Sequence, residues 1–409
     1  MVIGRNASGS ISRRQFSRYI AIAGAALTLP LGHPFTASAN NSKETQIYLD
    51  DIDRSNVVSL LPEKISPSGR YAEVLLETLC PEKLATKATS IDTFPQAART
   101  TLYTAPQTGQ LFVPESNGDI DPDIIKIASP DLIIDVGDRK ANLGDRLDIL
   151  ESETEVPVLY VDASFGNLAN AYRTLGQLLG CASCAEEIAH RIDQMTDYIT
   201  ETKLGTDSRK SILICEGEAG LSVRGGSSYQ ALAIGAVGGT CAANYARKVN
   251  SIDVEIRDIE EWNPDIILFT NANCFEKVLS EEGSWGAWQL VPAIKRGDYY
   301  AAPETDISWL GSPPLFTQSI GLVWLASILY PGECQFDAEK AASFVNLTLQ
   351  RSISVAEIKR AISKKGTRRQ IDYEHSSKEE SDNTSEQSRV YRIDIDERGR
   401  ILDTTEVTK

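Results

Sequence analysis

One phrase occurs twice in this chain. Ser129-Pro130-Asp131-Leu132-Ile133-Ile134-Asp135 is echoed by Asn263-Pro264-Asp265-Ile266-Ile267-Leu268-Phe269. Each copy reads as a helix end, a Pro-Asp turn and a short unbroken apolar strand. An apolar run bounded by turn residues fits a strand buried on both faces, as in a parallel sheet covered by helices. One copy in each half predicts two similar α/β lobes, and a two-lobed protein has a cleft where a ligand sits. Pro-Asp before a strand is also common α/β punctuation, so the echo needs its setting to carry weight.

The first residues read as an address. Ser12-Arg13-Arg14-Gln15-Phe16 has the form of a twin-arginine signal, an apolar stretch runs from Tyr19 to Leu31, and Ala37-Ser38-Ala39 offers a small-residue cleavage site. The apolar stretch is shorter than the roughly 20 residues of a membrane-spanning helix. The expectation is export by the twin-arginine route. The mature protein is then periplasmic or otherwise extracytoplasmic, either free or held by an uncleaved leader. The first cysteine is Cys80, so a lipid-modified N-terminus is not expected.

Forty-one Lys+Arg face 57 Asp+Glu, a formal net charge of −16. The leader carries Arg5, Arg13, Arg14 and Arg18 and no acid, so its loss leaves a still more acidic chain. That argues against nucleic acid and anionic lipid as partners. Histidine is scarce: His33 lies in the leader, His190 on a helix and His375 in a polar stretch. A metal site built from several histidines and a Ser-His-Asp hydrolase both lack their groups. Arg224-Gly225-Gly226 lacks the spacing of a dinucleotide fingerprint, and no P-loop is present. The expectation is a protein that is not an enzyme and has no resident cofactor or metal.

Seven cysteines is an odd number for an exported chain. Cys181-Ala-Ser-Cys184 has redox-motif spacing, but a local disulfide or two cysteines at a helix start also fit. Cys215 and Cys274, at strand ends, read as small core or near-cleft residues.

Residues 1–39 form the signal, 47–162 an N-terminal α/β lobe, 163–205 a connecting helix and 208–363 a C-terminal α/β lobe. The connecting region has an apolar stripe, Leu168, Ala171, Tyr172, Leu175, Leu178 and Leu179, which resumes after Gly180 at Ile188, Ile192, Met195 and Ile199. Residues 364–409 begin as a polar linker. Val390–Asp396 and Ile401–Val407 alternate around a Gly-containing turn, a hairpin pattern. An isolated hairpin is marginal in water, so the tail is read as unstructured or partner-dependent chain, with a sheet extension as the alternative.

Ligands of open α/β sheets sit beyond the carboxyl ends of the strands. The candidates there are Ser68, Gly69, Arg70 and Asp138 in the first lobe. In the second they are Glu216, Arg224, Ser227, Tyr229, Asn271 and Trp309, with Glu218, Asn273, Trp285 and Trp288 in similar segments. Aromatics with a few polar groups suit a large chelate or a flat organic ligand. Arg70 and Arg224, one per lobe, could clamp an anionic chelate. Each could equally pair with an acid nearby, such as Glu73 or Glu218.

From Ser55 to Ser363 the chain resembles the substrate-binding components of ABC importers for iron complexes and cobalamin, the helical-backbone periplasmic binding proteins. The likeness rests on Pro67-Ser68-Gly69-Arg70-Tyr71-Ala72-Glu73-Val74-Leu75-Leu76, Ile124 to Gly137, Gly176-Gln-Leu-Leu-Gly180, Glu216 to Leu221, Gly238-Gly239, Asn263 to Leu268, and Trp309-Leu310-Gly311-Ser312-Pro313-Pro314. The resemblance implies two Rossmann-like α/β lobes joined by one long helix, a metal chelate held between them, and a monomer that delivers it to an ABC permease in the cytoplasmic membrane. An iron-siderophore-type complex is the first expectation; cobalamin, haem or an oxyanion is the alternative within the same role. It also implies permease docking through a glutamate on each lobe: Glu73 matches in the first, and Leu232 to Gly239 offers no acid in the second. An exported redox or cofactor-handling enzyme on a related fold is the reading from another class.

Overall fold

A computed structural model describes residues 44–87, 111–112, 120–202, 204, 209–243, 251–280, 285–305, 307–311, 315–349, 352–365, 390–395 and 401–407. The proposed leader, most of the polar linker and Ser312-Pro313-Pro314 lie outside these residues. The chain divides into two compact units, and the boundary that follows Glu186 falls inside a helix.

The first unit opens with an antiparallel pair, β1 (Thr45–Leu49) and β2 (Ser55–Ser59), with Leu49 opposite Ser55. Next come β3 (Ile65–Pro67), α1 (Arg70–Leu79), the short parallel pair β4 (Thr86–Lys87) and β5 (Leu111–Phe112), α2 (Pro122–Ala128) and β6 (Leu132–Gly137). They are followed by α3 (Leu143–Thr154), β7 (Val158–Asp162), α4 (Leu168–Leu179) and α5 (Ala182–Thr202). The central sheet is parallel in the order β3-β6-β7. Leu132, Ile133 and Ile134 are fully buried, as a strand covered on both faces requires. Ile125, Leu143, Leu147, Val158 and Tyr160 fill one side of it. The hairpin is tied to β7 by Asn56 Nδ2 donating to the Val158 carbonyl (3.2 Å) and by the Asp162 N–H donating to Asp51 (2.8 Å).

The stripe expected to form one long helix is two helices. Gly180 is left-handed at φ 76°, and its N–H donates to the Gly176 carbonyl, so α4 ends there as a glycine-capped helix. The separate α5, 21 residues long, crosses the unit boundary. The two helices approach so closely that a Cβ on Gly176 would lie 2.2 Å from the Ala185 Cβ.

The second unit contains β8 (Ser211–Glu216), β9 (Ser222–Arg224), α6 (Tyr229–Ala236), β10 (Thr240–Cys241), β11 (Ser251–Asp253), α7 (Ile256–Trp262) and β12 (Ile266–Phe269). It continues with α8 (Ala272–Leu279), α9 (Trp285–Trp288), α10 (Pro292–Arg296), β13 (Tyr299–Ala301), α11 (Thr317–Leu329), α12 (Ala338–Leu349) and α13 (Val355–Ala361). Its sheet runs β11-β9-β8-β12-β13, with β10 also on β8. The strands β10, β8, β12 and β13 are mutually parallel, whereas β9 and β11 add antiparallel. Phe269 from the second Pro-Asp strand meets Phe275 and Trp288 edge-on, at centroid separations of 5.9 and 5.5 Å.

The echo in the sequence is an echo in structure. Ser129 (φ 47°) and Asn263 (φ 43°) are the left-handed caps that end α2 and α7. After each, the Pro-Asp turn locks a neighbouring strand. The Asp131 N–H donates to the Lys64 carbonyl (2.7 Å), and its carboxylate accepts from the N–H groups of Glu63 (2.9 Å) and Lys64 (3.0 Å). In the other unit the Asp265 N–H donates to the Ser211 carbonyl, and its carboxylate accepts from the Ser211 N–H, both at 2.8 Å.

Val390–Ile395 (β14) and Ile401–Val407 (β15) pair antiparallel with Val390 opposite Val407, so these residues form the hairpin that their alternation allows. The turn between them lies outside the described residues. No helix among the described residues is long and apolar enough to cross a membrane.

Candidate functional site

In the first unit, the carboxyl ends of β3 and β6 bring Ser68, Gly69, Arg70, Asp135 and Asp138 to one sheet edge. The Ser68 N–H donates to the Ile134 carbonyl (2.9 Å), and its hydroxyl donates to the Asp135 carboxylate. Burial pushes the Asp135 carboxyl above its ordinary range, against the opposing pulls of the Ser68 hydroxyl and of Arg146, Lys140 and Arg54. Gly69 is the N-cap of α1 and supplies no side-chain cap, while Arg70 is exposed in the first helical turn. A helix N-terminus whose N–H groups have no side-chain acceptor, with a guanidinium beside it, favours an anionic group. Asp138 is half-buried just beyond β6.

Tyrosines brace this edge. The Tyr71 hydroxyl donates to the Ala163 carbonyl (2.7 Å), and the Tyr160 hydroxyl donates to the Gly137 carbonyl. Asp135 and the two tyrosines were not singled out from the sequence. Asp135 closes the repeated phrase itself, an acid within an otherwise apolar strand, and that is the signal that could have found it.

In the second unit, Glu216 ends β8 and pairs with Arg224 at 2.6 Å. Each keeps about a fifth of its side chain exposed, at 22% and 20%. Glu216 also accepts from the Ser251 hydroxyl (3.0 Å), which lies 3.0 Å from the Ser222 hydroxyl. Arg224 Nε is buried and meets no hydrogen-bond partner among the described residues. Of the pairings anticipated for Arg224, the acid is Glu216, itself a candidate, and not Glu218. Glu218 is exposed and forms an ion pair with Lys277, which holds its carboxyl below the usual range.

Other candidates are placed differently. Ser227 is exposed, but the cap of α6 is its neighbour Ser228, whose hydroxyl oxygen accepts from the Ala231 N–H (3.1 Å). Tyr229 is half-buried at the start of that helix. Asn271 is occupied as the cap of α8, its side chain accepting from the Cys274 N–H (2.8 Å), and Asn273 is exposed in the first turn of the helix. Trp309 is a correction: it is 0% exposed and stacks on Phe336 at 5.6 Å, so it belongs to the core and offers a ligand no surface here. Trp288 is likewise buried, with Nε1 donating to the Ala219 carbonyl (2.9 Å). Nothing is described of the Trp285 side chain.

Glu73 is also corrected. It is 1% exposed, because all of α1 beyond Arg70 is buried, and a carboxylate that docks onto a permease has to stand on the surface. His190 is exposed on α5 and contacts Gln194 at 3.0 Å. No group of three or more His, Cys, Asp or Glu able to hold a metal ion occurs among the described residues.

Two α/β units each gather polar and charged groups at strand ends. The family model described as periplasmic binding protein matches residues 68–305, and the chain belongs to that family. No curated protein matches it in sequence. Among solved structures it is similar to an ABC transporter solute binding protein from Sulfurospirillum deleyianum, at 19% identity and TM-score 0.66, covering 77% of this chain and 98% of that one. It is similar to the molybdate periplasmic binding protein MolA of Haemophilus influenzae, bound to molybdate, at 13% identity and TM-score 0.59, covering 76% and 99%. A third likeness is to Helicobacter pylori CeuE with Ni(II) bound, at 15% identity and TM-score 0.57, covering 78% and 99%. At these identities the likeness speaks for the fold.

Proposed function

We propose that this chain is the extracytoplasmic substrate-binding component of an ABC importer. In this reading it is exported through its twin-arginine leader, captures an anionic metal chelate of the iron-siderophore type, and passes it to a membrane permease. It acts as a binding protein and not as an enzyme. The observation that carries the choice of ligand is Arg224. Its guanidinium is held at a strand-end edge by one carboxylate, keeps some exposure, and has a buried Nε without an acceptor among the described residues. An anionic ligand would supply the missing acceptor through a charge-assisted hydrogen bond. The Gly69-capped helix start with Arg70 favours the same sign of charge in the other unit.

The family supports a solute-binding role, and the similar structures named above hold molybdate in one case and Ni(II) in another. The scarcity of histidine favours a metal that arrives with its own ligands. The test is calorimetric and fluorescence titration of the mature protein with ferric siderophores, haem, cobalamin and molybdate. Saturable binding of a ferric siderophore is expected. Binding of molybdate alone would replace the chelate with an oxyanion, and no binding of any of the four would overturn the reading.

A further inference from the structure

The CxxC spacing directs attention to Cys181 and Cys184, but the structure gives Cys181 a different neighbour. Cys80, immediately after α1, and Cys181, in the short link between α4 and α5, have their thiols close enough to interact. The segments that carry them are fastened together independently. Lys83 Nζ, three residues after Cys80, donates to the carbonyl of Leu179 (2.7 Å), two residues before Cys181, and to that of Pro62 (2.9 Å). One turn back, the Thr78 and Tyr172 hydroxyls lie 3.0 Å apart. The backbone of each cysteine is set as well: the Cys80 N–H donates to the Leu76 carbonyl (2.8 Å) and the Cys181 N–H to the Gly176 carbonyl (2.9 Å).

We propose that Cys80 and Cys181 are an oxidisable pair that forms a disulfide within the first unit, cross-linking the end of α1 to the α4–α5 junction. The two thiols differ in access and in acidity. Cys80 is 1% exposed, whereas Cys181 is half-buried and reachable from solvent. The neighbouring Cys80 thiol holds the Cys181 thiol below the ordinary thiol range, and Lys83 adds to the effect against the pull of burial and Glu82. The neighbouring Cys181, together with burial, pushes Cys80 the other way. Cys181, the one solvent can reach, is therefore the thiol that meets an external disulfide oxidant.

In the first step the Cys181 thiolate attacks one sulfur of the oxidant's disulfide, an S–S bond forms to Cys181, and the other sulfur leaves as a thiolate. In the second, the Cys80 thiol passes its proton to the departing group and its sulfur attacks that of Cys181, which releases the second half of the oxidant as a thiol. Two protein thiols are oxidised by two electrons and one external disulfide is reduced. The bond closes a loop of about 100 residues, which favours the cross-link through the unfolded chain. Export, as proposed above, would place the chain in the oxidising conditions in which such a bond persists.

The test uses the full mature chain and oxidised glutathione, followed by alkylation of remaining thiols and non-reducing peptide mapping. A peptide pair joining Cys80 to Cys181 is expected, with reductant lowering the thermal midpoint by about 10 °C. Cys184→Ser should keep the cross-link, and Cys181→Ser should lose both the linked peptides and the reductant-sensitive shift. Because Cys80→Ser alters a buried site, Cys181→Ser is the deciding variant. A Cys181–Cys184 linkage, a glutathione adduct on Cys181 that never resolves, or full alkylation of Cys80 and Cys181 after oxidation would overturn the proposal. None of these readouts depends on which ligand the protein binds.

Discussion

Asp265 holds Ser211 at two points, its N–H donating to the Ser211 carbonyl and its carboxylate accepting from the Ser211 N–H, both at 2.8 Å. Asp131 holds Lys64 in the same way in the other unit, at 2.7 and 3.0 Å. The Pro-Asp turn thus starts one strand and fixes the register of its neighbour at once. Asp265→Ala should remove the acceptor and leave the Ser211 N–H without its partner, at a cost of about 1–3 kcal/mol. Asp131→Ala frees two N–H groups that water can reach, so it should cost less. Urea denaturation of each variant would measure this, and unchanged midpoints would mean that the turns are passive.

The contact between α4 and α5 depends on the absence of a side chain at Gly176. A Cβ there would sit 2.2 Å from the Ala185 Cβ and 3.3 Å from the Ala182 Cα. The first neighbour is too short and stiff to move aside, so the helices would have to separate. Gly176→Ala should cost about 1–3 kcal/mol, the usual range for overpacking, despite the better helix propensity of alanine. Thermal unfolding of the variant would test it.

The scaffold was legible where chemistry and local pattern coincide. The apolar runs Leu132–Ile134 and Ile266–Phe269, bounded by Pro-Asp, could hardly be anything except covered strands, and Gly180 announced the break in the long stripe. The three-residue strands Ser222–Arg224 and Ser251–Asp253 were not legible, because strands so short pair through backbone groups and leave little side-chain pattern. Trp309 was misplaced because its loop-like surroundings say nothing of burial. Glu73 was misplaced because an acid one turn from exposed Arg70 looks like a surface residue, whereas α1 is buried nearly all round. The Cys80–Cys181 contact joins residues a hundred positions apart, and CxxC spacing drew attention to the wrong partner.

Trp309 separates packing from binding. It is fully buried against Phe336, so Trp309→Ala should cost about 3–5 kcal/mol of stability through the cavity it leaves. Trp309→Phe keeps the stacking shape and should leave affinity for a ferric siderophore within about twofold. Calorimetric titration beside a melting curve distinguishes the two roles. A large loss of affinity in Trp309→Phe without loss of stability would return the residue to the ligand.

Arg224 should behave in the opposite way. Glu216 keeps the Ser251 hydroxyl and some solvent once the guanidinium is gone, so Arg224→Ala should cost less stability than Trp309→Ala. Its affinity for an anionic chelate should fall about tenfold or more, the scale of a lost charge-assisted hydrogen bond. Arg224→Lys keeps the charge and loses the planar fork, so it should recover only part of the affinity. Equal affinities across the three proteins would remove Arg224 from the site.

Asp135 should leave a signature in the pH dependence of stability. Burial raises its carboxyl above the ordinary value of 3.8 in the folded protein. Between that value and the raised one, the folded state keeps a proton that the unfolded chain has released. Stability therefore falls as pH rises through this window, and above it the full cost of holding a buried carboxylate is present. Asp135→Asn does not ionise, and its amide oxygen can still accept from Ser68. The variant should be more stable than the wild type at pH 7, and the difference should close as pH drops below about 3.8, where both side chains are neutral. Chemical denaturation at a series of pH values tests this directly. A variant less stable at pH 7 would mean that the charge of Asp135 is paired more strongly than its burial penalises it. Weaker ligand binding in a more stable Asp135→Asn protein would identify the carboxylate as one that the fold tolerates for the sake of the site.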